Sequence, residues 1–135
     1  MKLHHIGIAC SDIMEKIDQI KCLFPVESVS EIVVDPEQDA ELCMVYMKDS
    51  TPLELIAGNV VQNLVKKNIS LYHTCWEVEE MEKEITRMCD EGSKLISEPK
   101  AAVLFDFRRV AFLHTPAGIV ELLECIDDKG FSDAL

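Results

Sequence analysis

Two histidines and two glutamates recur in step along this 135-residue chain. His5 stands in Leu3-His4-His5-Ile6-Gly7-Ile8-Ala9, and His73 in Leu71-Tyr72-His73-Thr74-Cys75-Trp76-Glu77-Val78, 68 residues further on. Glu54 stands in Leu53-Glu54-Leu55-Ile56, and Glu121, 67 residues further on, in Val120-Glu121-Leu122-Leu123. A carboxylate inside an apolar strand is costly unless it is paired or bound to metal. Here it occurs twice, each time with a histidine 49 or 48 residues upstream. Two neutral imidazoles and two carboxylates suit a divalent cation of the Zn, Ni, Co, Fe or Mn group. A single strand histidine is most often structural, and a single strand glutamate most often faces solvent. The recurrence of all four at matched positions is what favours a metal site made of His5, Glu54, His73 and Glu121.

The elements that must position these residues repeat as well. Asp12-Ile13-Met14-Glu15-Lys16-Ile17 is echoed by Glu80-Met81-Glu82-Lys83-Glu84-Ile85, again 68 residues apart. Fixed-offset self-similarity with two copies points to a pseudo-symmetric domain and not to a solenoid. Unit one spans about residues 1–58, a connector 59–70, and unit two about 71–126. Each reads as β-α-β-β-β. Strand 3–9 has one face of His5, Gly7 and Ala9, whose small residues leave space beside the imidazole. A helix follows to about Leu23, capped by Ser11-Asp12, with Ile13, Ile17 and Ile20 on one stripe. Residues 26–34 read as one ragged strand, 41–47 and 53–57 as two more. The connector carries a short helix from Asn59. In unit two, strand 71–78 precedes a helix over 80–91 with Gly92 closing it. Strands are expected at 94–96, 109–114 and 119–125. An irregular loop is expected at 100–108, and a frayed tail from Asp127. His4 and His114 read as spectators, and Trp76 as packing under a helix.

Composition narrows the classes. The length fits one domain, and 48% hydrophobic residues are ample for a core. A net charge of −12 argues against a nucleic-acid partner. The six cysteines form no Cys-x-x-Cys and read as reduced core thiols. With no signal-peptide run and no apolar stretch of membrane-spanning length, a cytoplasmic protein without a membrane partner is expected.

Leu-His-His-Ile-Gly-Ile-Ala, Val-Ala-Phe-Leu-His and Ile-Val-Glu-Leu-Leu-Glu resemble the vicinal oxygen chelate (glyoxalase/bleomycin resistance/dioxygenase) superfamily, in the branch holding glyoxalase I and methylmalonyl-CoA epimerase. The resemblance covers about residues 3–124. It implies an α+β fold of two tandem βαβββ units, curved into a mixed sheet around a metal-binding cleft with the helices outside. It also implies that His5, Glu54, His73 and Glu121 fall on the family's four metal positions. The activity implied first is glyoxalase I-type isomerisation of a 2-oxoaldehyde thiohemiacetal through an enediolate. Glu121, then Glu54, would be the proton-transferring carboxylates. The alternative is methylmalonyl-CoA epimerase-like racemisation of an acyl thioester. The loop Glu37-Gln38 resembles the epimerase, with Asp39 where glycine is expected, and Ala101–Phe107 stands where the epimerase has a glycine-rich turn. A reading of another class is a non-enzymatic binding protein of the bleomycin-resistance type. Arg108 and Arg109 are candidates for holding a substrate anion, and Phe105 and Phe107 for lining the pocket. The resembling enzymes act on thiol adducts or thioesters, and they imply a homodimer.

Overall fold

The structure, a computed structural model, describes residues 1–125. The polar tail from Asp127 lies outside the described residues. The chain falls into two compact units, one of His5–Tyr72 and one of Met1–His4 together with the chain from His73 onward.

In the first unit, strand β1 (Lys2–Ala9) leads into helix α1 (Ile13–Leu23). The Asp12 side chain accepts the Glu15 backbone N–H at 3.1 Å, and Ile13, Ile17 and Ile20 are buried. A cap contributes about 1 kcal/mol, whereas each buried isoleucine contributes about 2 kcal/mol. Packing therefore fixes the helix, and the cap sets only where it starts. Strands β2 (Val26–Val29), β3 (Val33–Asp35), β4 (Ala40–Met47) and β5 (Leu53–Gly58) follow. Their order is β2-β4-β5-β1, with β3 also on β4. β1 and β5 run parallel, and the other pairs are antiparallel. Cys43 and Val45 of β4 and Leu55 and Ala57 of β5 pack with the α1 isoleucines. Alternation turns Met44, Glu54 and His5 to the opposite face.

The ragged strand expected over 26–34 is two strands. Ser30 breaks the ladder, and its hydroxyl accepts the Met44 N–H at 2.8 Å in place of a strand carbonyl. The connector is a 3-10 turn (Asn59–Val61) and the five-residue helix α2 (Gln62–Lys66). Gly58 has φ +123, and a Cβ there would lie 2.3 Å from the Asp39 carbonyl oxygen. Only glycine lets the two loops meet so closely.

In the second unit, β6 (Leu71–Val78), α3 (Met81–Asp90), β7 (Lys94–Ala101), β8 (Arg109–Thr115) and β9 (Gly118–Glu124) follow in turn. The order is β6-β9-β8-β7, with β6 and β9 parallel. One face packs Val78, Ala111, Leu113, Val120 and Leu122 with Met81 and Ile85 of α3, and Trp76 joins it. Strand β7 runs five residues further than expected. It tolerates Pro99 because it is an edge strand, and its register shifts around Ser97 and Lys100. A 3-10 turn (Val103–Phe105) then leads to Asp106 and Phe107, both in the left-handed region at φ +54 and +64. Among the described residues no helix is long and apolar enough to cross a membrane.

Candidate active site

The first unit sets His5 and Glu54 side by side. In the parallel β1–β5 pair, Glu54 lies opposite Gly7, two residues beyond His5 on the same face. His5 Nε2 comes within 3.3 Å of Glu54 Oε1, and both side chains are buried. The second unit repeats this register. Glu121 of β9 lies opposite Cys75, two residues beyond His73. His73 Nε2 is 3.0 Å from Glu121 Oε1, with both side chains again buried. The rule is the same in each unit: histidine at one position of the first strand, glutamate opposite the position two further on.

These spacings fit a metal. Bonds of about 2.1 Å put two ligands about 3.0 Å apart at a right angle and about 3.4 Å apart at the tetrahedral angle. Both pairs fall in that range. The donors, imidazole nitrogen and carboxylate oxygen, are those of zinc and its first-row neighbours.

Around His73 the face is apolar on one side and charged on the other. Phe112, opposite Glu121 in register, meets the His73 ring edge-on with centroids 5.4 Å apart. Cys75, Ala102, Val110 and Leu123 form a buried cluster with Phe105 and Phe112 against it. Phe112 escaped the sequence reading. The signal available was its place on the strand preceding Glu121, in step with the inward alternation of Val110.

Glu77 follows His73 and Cys75 along the same strand face. Arg108 Nη2 donates to Glu77 Oε2 at 2.6 Å, and its Nε donates to the Glu124 carbonyl at 2.8 Å. Both partners of this ion pair are buried. Arg109 is taken up differently. It donates through Nη1 and Nη2 to Glu82 of α3 and through Nε and Nη2 to Glu124. The hydrogen bonds it donates to Glu124 and then to Glu82 hold the Arg109 guanidinium above its ordinary range. The same contact holds the Glu82 carboxyl below its own. Of the two arginines, Arg108 is thus the one on the His73 face. Phe105 sits on that face too, edge-on to the His4 ring at 5.4 Å, whereas Phe107 is 68% exposed.

In the first unit, Asp35 caps the acidic loop. Its carboxylate accepts the Glu37 N–H at 3.0 Å and the Gln38 side-chain amide at 2.8 Å. Asp39, standing where the epimerase-like loop calls for glycine, has φ +51, the backbone region that glycine favours.

A family model described as the glyoxalase/bleomycin resistance protein/dioxygenase superfamily matches residues 4–112. The mitochondrial methylmalonyl-CoA epimerase of Dictyostelium discoideum is 29% identical over 134 residues, covering 95% of this chain and 78% of that protein. Among solved structures, the Mycobacterium tuberculosis methylmalonyl-CoA epimerase is similar at a TM-score of 0.76 and 19% identity, over 91% of this chain and 87% of that one. A substituted Streptomyces coelicolor methylmalonyl-CoA epimerase in complex with 2-nitronate-propionyl-CoA gives 0.76 and 23%, over 92% and 94%. At these identities the structures speak to the fold, and the fold is the α+β arrangement that the repeated sequence implied. With its two repeated units and most of its length matched, the chain belongs to the glyoxalase/bleomycin resistance protein/dioxygenase superfamily.

Proposed function

We propose that the chain is an epimerase of acyl thioesters, inverting a carbon that lies between a thioester carbonyl and a carboxylate. The observation that carries this reading is the duplicated buried pair, His5–Glu54 at 3.3 Å and His73–Glu121 at 3.0 Å. Inversion needs one group to take the proton from carbon and a second to return it on the opposite side. Two glutamates from two copies of one unit supply such a couple, Glu121 as the first base and Glu54 as its counterpart. Support also comes from the 29% identical relative, which bears the epimerase name. The glyoxalase I-type isomerisation that the sequence favoured first has no comparable support, so the epimerase alternative takes the lead.

In this proposal His5, Glu54, His73 and Glu121, all buried, hold one divalent cation. When bound, it supplies Lewis-acid stabilisation of the negative charge that develops on the thioester oxygen. The chain's own residues do the rest. Each imidazole nitrogen stands beside one oxygen of its glutamate, which leaves the second oxygen to handle the proton. Gly7, opposite Glu54 in register, places no side chain beside the carboxylate. Phe112, Val110 and Leu123 give the Glu121 side of the site an apolar wall. Of the substrate-contact candidates, Arg108 and Phe105 are retained, being on the His73 face. The active species is proposed to be a homodimer, as in the resembling enzymes.

The test is to incubate the metal-loaded protein with a 2-methylmalonyl thioester of CoA in D2O. Deuterium entering the central carbon, with loss of configuration, is the expected result. A folded, metal-loaded protein that leaves that carbon untouched would overturn the reading. Turnover of a 2-oxoaldehyde thiohemiacetal instead would restore the glyoxalase I-type alternative.

A further inference from the structure

Glu121 stands in a row of three on one face of the second unit. Cys75 of β6 lies opposite it on one side and Phe112 of β8 on the other. Directly opposite residues of an antiparallel pair hold their Cβ atoms about 4.5–5.5 Å apart. The Phe112 ring therefore starts beside the carboxylate, and it meets the His73 ring edge-on at 5.4 Å. Cys75, Val110 and Leu123 are buried, whereas Phe112 is half-buried and keeps surface for a ligand. Met44, which holds the matching place opposite Glu54 in the first unit, is 2% exposed and has no such surface. We propose that Phe112 sets the size of the substrate: its ring admits a methyl group on the carbon that is inverted and excludes longer alkyl chains. This rests on the epimerase reading above and adds to it a choice among thioesters.

The carbon that inverts carries a hydrogen, a thioester carbonyl, a carboxylate and one alkyl group. With the hydrogen against Glu121, the alkyl group falls to the apolar flank of that carboxylate, where Phe112 has surface to meet it. Phe112 is held there. Its backbone N–H donates to Ser97 Oγ of β7 at 3.3 Å. Its ring packs against the buried cluster of Cys75, Ala102, Val110 and Leu123. Interiors packed as densely as organic crystals leave no room for a displaced ring. An apolar wall of this kind separates substrates that differ by one methylene by about 10–200-fold.

The test compares the CoA thioesters of methylmalonate and butylmalonate on the full chain, metal-loaded, with Phe112→Ala and Phe112→Leu beside the parent. The readout is kcat/KM for deuterium entry at the central carbon in D2O. The parent should favour methyl by at least about 100-fold, and Phe112→Ala should narrow that ratio at least about 10-fold through a gain on butyl. Damage to the fold or to His73 would slow both substrates alike and leave the ratio in place. The same preference is read without turnover from calorimetric dissociation constants of the 2,2-dimethyl and 2-butyl-2-methyl thioesters, which have no proton to give up. A parent that binds these but exchanges neither monoalkyl substrate refutes the epimerase reading, and the dissociation constants then decide the role of Phe112. A parent that neither binds nor exchanges any of them ends both. A ratio in folded Phe112→Ala within about twofold of the parent's, below the about 10-fold worth of one methylene, overturns the proposal and leaves the epimerase reading standing. A parent that handles both alkyl groups equally overturns it too. If Phe112→Ala does not fold by circular dichroism, Phe112→Leu decides alone.

Discussion

Glu54 and Glu121 are chemically alike, yet a two-base inversion gives them opposite duties, and this can be measured. In Glu54→Gln the remaining base still removes the proton from one epimer and returns a solvent deuteron to the same side. Exchange without inversion is expected for that epimer, with inversion slowed about 10²–10⁴-fold. Glu121→Gln should show the mirror pattern with the other epimer. The readouts are mass increase and stereochemistry, taken separately on each epimer. Equal loss of exchange from both epimers in either variant would point to one base and not two. A second consequence concerns Cys10. Burial pushes its thiol up from 9.0 to about 11, the largest of several influences. Between those values the unfolded chain gives up the Cys10 proton while the folded chain keeps it. Stability is therefore lost as pH rises from about 9 to about 11, and Cys10→Ala should flatten that part of a urea-midpoint profile. The four paired residues were legible in the sequence because duplication set a test that chance rarely meets. Phe112 and Glu77 were not, because each reads as an ordinary strand residue until the register puts it on the histidine's face.

At the scale of elements, strands announced by alternation emerged nearly as read, and β6 matched at both ends. The departures fall where hydrogen bonding left the regular ladder. Ser30 lends its hydroxyl to Met44 and splits one strand into β2 and β3. Ser97 accepts the Phe112 N–H at 3.3 Å through its side chain, which lets β7 continue past an irregular register. Side-chain substitution of this kind leaves no periodic trace. Arg108 and Arg109 are neighbours in the sequence, but Arg108 precedes β8 and reaches the ends of two other strands. It bonds Glu77 near the end of β6 and the Glu124 carbonyl at the end of β9. Arg108→Met would leave the Glu77 charge buried with its partner gone, at a cost of about 3–5 kcal/mol. Adding Glu77→Leu removes the stranded charge, and most of that loss should return in the double variant. Chemical denaturation of the two singles and the double closes the cycle. Additive losses would mean that the arginine acts through its carbonyl contact alone.

For the whole molecule, duplication raises a question of number. Each unit carries a complete His–Glu couple, so two such couples could bind two ions independently, or one ion jointly. The choice affects stability as well as stoichiometry. A ligand present at about 100 times its dissociation constant adds about 2.7 kcal/mol to the folded state. For a domain of this length that corresponds to about 10 °C in melting temperature. If one ion draws on both couples, elemental analysis of the loaded protein gives one divalent ion per chain. His5→Ala alone, which alters only the first unit's couple, then removes nearly the whole thermal shift, and His73→Ala does the same from the other side. If each couple works alone, the count is two and either variant keeps about half the shift. Joint binding is expected on electrostatic grounds. A divalent ion with one carboxylate and one imidazole keeps a net positive charge in a buried place, whereas the second couple brings that charge to zero.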